Sequence, residues 1–118
     1  MAYRILIVDD HPSFRATVRT LLVADGFEVV GEAADGRSAL AAVQSLEPDL
    51  VLLDVHLPDM DGFAVLNELL RQNGTGPKVV LTSSHDESDF GPIVARCGAA
   101  AFVPKGELTG AALRAVLR

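Results

Sequence analysis

Cysteine, tryptophan and lysine are the scarce residues of this chain. Cys97 stands alone among 118 residues, which excludes an intramolecular disulfide and a multi-cysteine metal site and leaves any chemistry to oxygen-bearing groups. Trp is absent, and with one Tyr and five Phe the core must be built from Leu, Val, Ile and Ala, a palette that suits a parallel sheet covered by helices. Positive charge is in deficit too. Ten Lys plus Arg face sixteen Asp plus Glu, and the resulting net charge of -6, with a pI near 4.8, argues against these residues gripping a nucleic-acid backbone. No apolar run approaches the roughly 18 residues of a membrane span. In MAYRILIVDD, acids follow the first apolar stretch where a signal peptide would continue, so the sequence reads as cytoplasmic, with no membrane contact.

What is present is the composition of a folded domain: 49% hydrophobic and 22% charged residues. The length fits one domain over 1–118, without an internal repeat, low-complexity tract or linker. Short apolar runs alternate with segments of helical spacing. Tyr3 to Val8 reads as a first strand ending at Asp9 and Asp10. Pro12 opens a helix with Phe14, Val18, Leu21 and Leu22 on one face, which Gly26 stops. Glu28 to Ala33 is a second strand, and Asp35-Gly36 leads into a helix carrying Leu40, Val43 and Leu46 that Pro48 closes. Leu50 to Leu53, uninterrupted and apolar, is the central strand and ends at Asp54. Asp61-Gly62 starts a helix with Phe63, Leu66, Leu69 and Leu70 on its apolar face. Lys78 to Leu81 is a fourth strand ending in Thr82, Ser83 and Ser84. A weaker helix is expected from Glu87 to Cys97, a fifth strand from Ala101 to Val103, and a last helix from Glu107 to Leu117.

A helix in each crossover makes the sheet parallel, with helices on both faces. Ligands of such sheets sit at the carboxyl ends of the strands. Asp9 and Asp10, Asp54, Thr82 and Lys105 all fall at such ends. Three carboxylates there carry an excess of negative charge that a hard divalent cation or a lysine must offset, and Mg²⁺ fits. A Thr82 hydroxyl and a Lys105 ammonium are what phosphoryl oxygens require. Transfer onto a carboxylate is then largely a matter of positioning and charge neutralisation, and Asp54, closing the most buried run, is the acceptor candidate. Lys105 is one of two lysines against eight arginines, which points to a need for a compact ammonium at that position.

The pair in LIVDDHP, the segment LVLLDVHLPDMDG, the hydroxyl in VVLTSS and the lysine in AFVPKG together resemble the receiver domain of two-component response regulators, in order and over essentially the whole chain. The resemblance implies a flavodoxin-like (βα)5 three-layer α/β sandwich with a five-stranded parallel sheet in the order 2-1-3-4-5. It implies a Mg²⁺- or Mn²⁺-dependent phosphoacceptor, not an enzyme acting on other substrates, that takes its phosphoryl group from a sensor histidine kinase onto Asp54. Asp9 and Asp10 match the metal-binding acids, the backbone carbonyl of His56 completes the metal shell, Thr82 is the switch hydroxyl, Lys105 the phosphate-pairing lysine and Phe102 the aromatic that turns inward. His56 and Ser84 match positions that tune dephosphorylation. The output surface is then the helix from Glu87 to Cys97, strand five and the last helix, with a homodimer on phosphorylation as one form of output. DDHPSFR further resembles receivers of the LuxR/NarL-like transcriptional subfamily, so the chain reads either as a single-domain regulator or as the receiver of a longer one.

Two departures stand out. Phe102 occupies a position where tyrosine is common, and Gly106 follows Lys105 where proline is common. Other residues read more simply. His11 is expected to be a hydrogen-bonding neighbour of the acids rather than a zinc ligand, Cys97 a small buried hydrophobe, Lys78 a solvated strand start, and Asp59 and Asp61 turn and helix-start acids. Rival classes fare worse. A phosphohydrolase of the aspartyl-phosphate type typically places a second acid where His56 stands, and a flavin phosphate would be repelled by Asp9 and Asp10.

Overall fold

The computed structural model describes residues 3–71, 76–84 and 98–117. The helix expected from Glu87 to Cys97, with His85, lies outside the described residues. Five strands form one parallel sheet: β1 (Arg4–Val8), β2 (Glu28–Ala33), β3 (Leu50–Asp54), β4 (Lys78–Ser83) and β5 (Ala101–Pro104), in the order β2-β1-β3-β4-β5. Four helices are described: α1 (Pro12–Ala24), α2 (Gly36–Leu46), α3 (Gly62–Arg71) and α4 (Gly110–Leu117). None of them is long and apolar enough to cross a membrane.

Strand alternation divides the core into two layers. Leu6, Val8, Val51, Leu53, Val79 and Leu81 face Ala39 and Val43 of α2 and Val65, Leu66 and Leu69 of α3. Ile5, Ile7, Leu50, Leu52 and Val80 face Val18 and Leu22 of α1 and Leu113 of α4. Covering both faces is what makes β1 and β3 continuous apolar runs, and it leaves the strand ends as the place where polar groups can meet. β3, between β1 and β4, is in register with Thr82 at its last residue, Asp54. One irregularity, between Ile5 and Leu6, shifts β2 by a residue against β1.

The helix ends follow from local chemistry. α1 begins with Pro12 and stops before Gly26, whose φ of 90° lies in the left-handed region that glycine enters without strain. α2 is capped twice. Asp35 Oδ1 accepts from the Ser38 N–H at 2.8 Å, while Asp59, from the loop after β3, accepts from the Gly36 and Arg37 N–H groups at 2.7 and 3.0 Å. Asp59, in the bend after β3 as expected of a turn acid, thus also serves a helix distant in sequence, and Asp61 caps the helix it precedes, accepting from Ala64 N–H at 2.8 Å.

The last helix differs from expectation. Lys105–Glu107 form a 3-10 turn and α4 starts at Gly110, because Thr109 Oγ1 accepts from the Ala112 N–H at 3.0 Å and sets the cap two residues beyond Glu107. Leu70, expected on the apolar face of α3, is 49% exposed, since Val65, Leu66 and Leu69 already fill the arc that faces the sheet. Lys78 is exposed at the start of β4, as expected, with its ammonium on the carbonyl of Val116 at 3.0 Å.

Asp59 yields a pH-dependent prediction. The Gly36 N–H foremost, and the other backbone donors after it, hold its carboxyl below the ordinary carboxylate range, although desolvation opposes them. A carboxyl whose folded pKa lies below its unfolded one contributes stability that is complete above the unfolded value of about 3.9 and disappears as pH falls through the folded value. Asp59→Ala should lower the melting temperature by a few degrees at neutral pH, and the gap to wild type should close in acid. A gap that persists at low pH would show that the cap does not act through the ionised carboxylate.

Candidate functional site

The strand ends bring together residues far apart in sequence. Asp9 follows β1 and is fully buried, Asp54 ends β3 at 2% exposure, Thr82 lies within β4 and is fully buried, and Lys105 follows β5. Asp10 and His11 form the exposed rim. Asp9, Asp10, His11 and Asp54 each present a ligand atom within 4.8 Å of the others. Lys105 reaches across the strands: its Nζ lies 2.7 Å from Asp9 Oδ2 and 3.4 Å from Asp54 Oδ2, with the side chain 16% exposed. The approach to Asp9 is an ion pair by distance but is not aligned as a hydrogen bond, so Asp9 Oδ2 has no directed donor among the described residues.

Three acidic side chains face one ammonium in this cluster, so acids outnumber the lysine. Burial, the largest influence, pushes the Asp54 carboxyl above its ordinary range, and the charge of Asp9 adds to it. The His56 N–H, donating to Asp54 Oδ1 at 3.1 Å, and Lys105 pull the other way without cancelling the rise. Burial works to lower the Lys105 pKa, but the two carboxylates, Asp9 ahead of Asp54, outweigh it and hold the ammonium above its usual range. The charged form of Lys105 is thus favoured, while burial makes the charged form of Asp54 less favourable than that of a solvated carboxylate.

The scaffold fixes these groups from several sides. His11 donates its backbone N–H to Asp9 Oδ1 at 2.9 Å, and its Nδ1 is 3.0 Å from both Asp9 Oδ1 and Asp10 Oδ1, the hydrogen-bonding neighbour expected. Arg15 donates to the carbonyl of Asp9 and, through Nε, to Glu32 Oε1 at 3.0 Å, while Arg19 donates to Glu32 Oε2 at 2.8 Å. This tie lowers the Glu32 pKa, chiefly through Arg19, and joins α1 to β2 beside the acid pair. Beyond Asp54, Val55 N–H donates to the Thr82 carbonyl at 3.0 Å and Gly62 N–H to the Val55 carbonyl at 2.6 Å. A Cβ at position 62 would stand 2.4 Å from the Asp54 carbonyl oxygen, so the return of the chain to α3 requires glycine.

Thr82 is the register neighbour of Asp54, and its buried Oγ1 has no hydrogen-bond partner among the described residues. Phe102, opposite Leu81 in β5, is half-buried against the core layer of α2 and α3. Ser84 is exposed just past β4. Sequence reasoning passed over Arg15 and assigned Phe14 only to the core. Phe14 in fact also meets the Lys105 ammonium, 4.4 Å from its ring centroid. The positions of both in the first turn of a helix that begins just after Asp9-Asp10 were the available signal.

Because burial disfavours the charged form of Asp54, replacing it with a neutral isostere should relieve the cluster. Asp54→Asn should raise the melting temperature by a few degrees in metal-free buffer at neutral pH. A lower value would mean that the Lys105 ion pair more than compensates the burial of the carboxylate.

Comparison with known proteins agrees with this geometry. Residues 5–118 match the family described as Response regulator receiver domain. A putative transcriptional regulator of Pseudomonas aeruginosa is 39% identical over 104 residues, covering 88% of this chain and 50% of that protein. The chemotaxis protein CheY of Bacillus subtilis is 36% identical over 105 residues, covering 89% of this chain and 87% of that one. The receiver domain of the putative response regulator NarL from Mycobacterium tuberculosis superposes with a TM-score of 0.83 at 36% identity, covering 98% and 97% of the two chains. The chain spans about half the length of the transcriptional regulators it matches. It belongs to the response regulator receiver domain family, the phosphoacceptor signalling module of two-component systems.

Proposed function

We propose that Asp54 is the phosphorylated residue and that its phosphoryl group comes from the phosphohistidine of a cognate sensor histidine kinase. The observation that carries this reading is the combination at one point of a buried carboxylate disfavoured in its charged form, an ammonium 3.4 Å away and a buried threonine hydroxyl without a partner among the described residues. An Asp54 oxygen forms the new P–O bond as the P–N bond to the donor imidazole breaks, and the imidazole nitrogen keeps the electron pair and takes up a proton. His56 N–H and Lys105 orient the carboxylate for this in-line approach.

The donor set suits a hard divalent cation: carboxylate oxygens of Asp9, Asp10 and Asp54, one of them, Asp9 Oδ2, lacking a directed donor. Mg²⁺, or Mn²⁺, would be held by these three residues and the backbone carbonyl of His56. When bound it would supply positive charge to the phosphoryl oxygens, and Lys105 would pair with them from the other side. In this reading Thr82 gains its missing partner from the phosphoryl group, and Phe102 turns inward as the hydroxyl moves. The changed surface is the helix expected from Glu87 to Cys97, β5 and α4. Phe102 has no hydroxyl, so its signal passes by packing. The chain catalyses only its own phosphorylation and dephosphorylation, in the cytoplasm, and its output regulates transcription through an effector domain or partner, with homodimerisation as one route. Supporting this last step is the description of the Pseudomonas relative as a putative transcriptional regulator.

Intact mass after incubation with acetyl phosphate tests the reading. Wild type should gain one phosphoryl group when Mg²⁺ is present, and Asp54→Ala should gain none. Labelling that survives in Asp54→Ala would reject Asp54 as acceptor, and no labelling of wild type would reject the reading itself. His56 and Ser84, two residues beyond Asp54 and Thr82, should set how long the group persists. Substituting them should change the decay of the adduct several-fold while leaving Mg²⁺ affinity nearly constant, and unchanged decay in both variants would remove them from that role.

A further inference from the structure

We propose that Phe14 is a positioning residue of the phosphoryl-transfer site: its ring, on the first turn of α1, holds the Lys105 ammonium in place between Asp9 and Asp54. This rests on the phosphoacceptor reading of Asp54. Lys105 Nζ stands 4.4 Å from the centroid of the Phe14 ring, 2.7 Å from Asp9 Oδ2 and 3.4 Å from Asp54 Oδ2. The ammonium is therefore bounded by two carboxylates and an aromatic face, at 16% exposure of the side chain. Lys105 reaches this position from the far side of the sheet, because β3 and β4 separate β5 from β1. A long, flexible side chain spanning that distance needs something to limit its freedom at the tip.

The ring is suited to this because it is itself anchored. Phe14 is half-buried and packs with the core layer that contains Val18 and Leu22 of its own helix. A π face attracts a cation without demanding a fixed N–H direction. The ammonium can then exchange Asp9 Oδ2, to which it is poorly aligned, for a phosphoryl oxygen on Asp54 while remaining over the ring. A carboxylate or carbonyl in place of the ring would bind the same ammonium directionally and oppose that exchange. Leucine in place of phenylalanine would keep the apolar contact with the core and lose the attraction to the charge.

Three variants separate positioning from packing. Phe14→Leu retains an apolar side chain, Phe14→Tyr retains the π face, and Lys105→Met removes the cation. In unphosphorylated wild type the ε-methylene protons of Lys105 should be shifted upfield by the ring current. Phe14→Leu should abolish the shift and Phe14→Tyr should preserve it, with Lys105→Met identifying the resonance. With acetyl phosphate and Mg²⁺, Phe14→Leu should slow adduct formation about three- to tenfold, the span of a partly exposed cation–π contact, and Phe14→Tyr should restore the rate to within about twofold of wild type. Absence of the upfield shift in wild type would overturn the proposal, as would a Phe14→Tyr rate as slow as that of Phe14→Leu, or a Phe14→Leu rate equal to wild type. The proton shift is measured without phosphate, so it decides the contact even where wild type takes no phosphoryl group and the phosphoacceptor reading fails.

Discussion

The burial of Asp9 and Asp54 at adjoining strand ends is the constraint on which the site depends. Both carboxylates are almost wholly removed from water, and the charge of Asp9 opposes the ionisation of Asp54. Lys105 offsets part of this charge and no more, since Asp10 adds a third carboxylate at the rim. The domain thus holds a deficit of positive charge at one point. A structure selected for stability alone would place apolar side chains there. Retaining the deficit makes sense where the missing charge arrives with a ligand, and the geometry is that of a site completed from outside.

The architecture makes this arrangement affordable to the rest of the molecule. Parallel strands bury both faces of the sheet, so β1 and β3 contribute continuous apolar runs and concentrate their polar groups at one edge. The site is supported by groups whose own polarity is satisfied locally: Arg15 bridges the Asp9 carbonyl and Glu32, and Gly62 lets the loop after Asp54 fold back against the Asp54 carbonyl. Thr82 is the exception, a buried hydroxyl beside the Asp54 carboxylate with no partner among the described residues. An unpaired polar group in such a place is costly until it finds an acceptor. In the sheet register Thr82 lies between Asp54 of β3 and Val103 of β5, the residue after Phe102.

Much of this could be read from the amino-acid order because the informative signals were local. Leu50 to Leu53 is apolar without interruption, so a central strand and a carboxylate at its end followed directly, and Pro12, Gly26 and Pro48 marked helix boundaries through backbone restrictions that operate within one or two residues. The features that were not legible involved partners distant in sequence or competing local caps. Asp59 caps α2 across 23 residues, which no local pattern announces. The last helix was begun too early because Glu107 is a good first-turn residue, whereas Thr109 supplies the cap that forms. Leu70 has helical spacing, but the three residues Val65, Leu66 and Leu69 saturate the face turned to the sheet. Phe14 packs on the core as its spacing indicates, while its further contact with Lys105 depends on the sheet order, which sets β5 beyond β3 and β4 from β1.

The central claim is that the Asp9, Asp10 and Asp54 cluster is short of positive charge that a divalent cation provides. The melting temperature as a function of Mg²⁺ concentration at constant ionic strength tests it most directly. The account predicts a saturable rise in wild type, from preferential binding to the folded state, that disappears in Asp9→Asn. A flat curve for wild type, or an equal rise in Asp9→Asn, would contradict it.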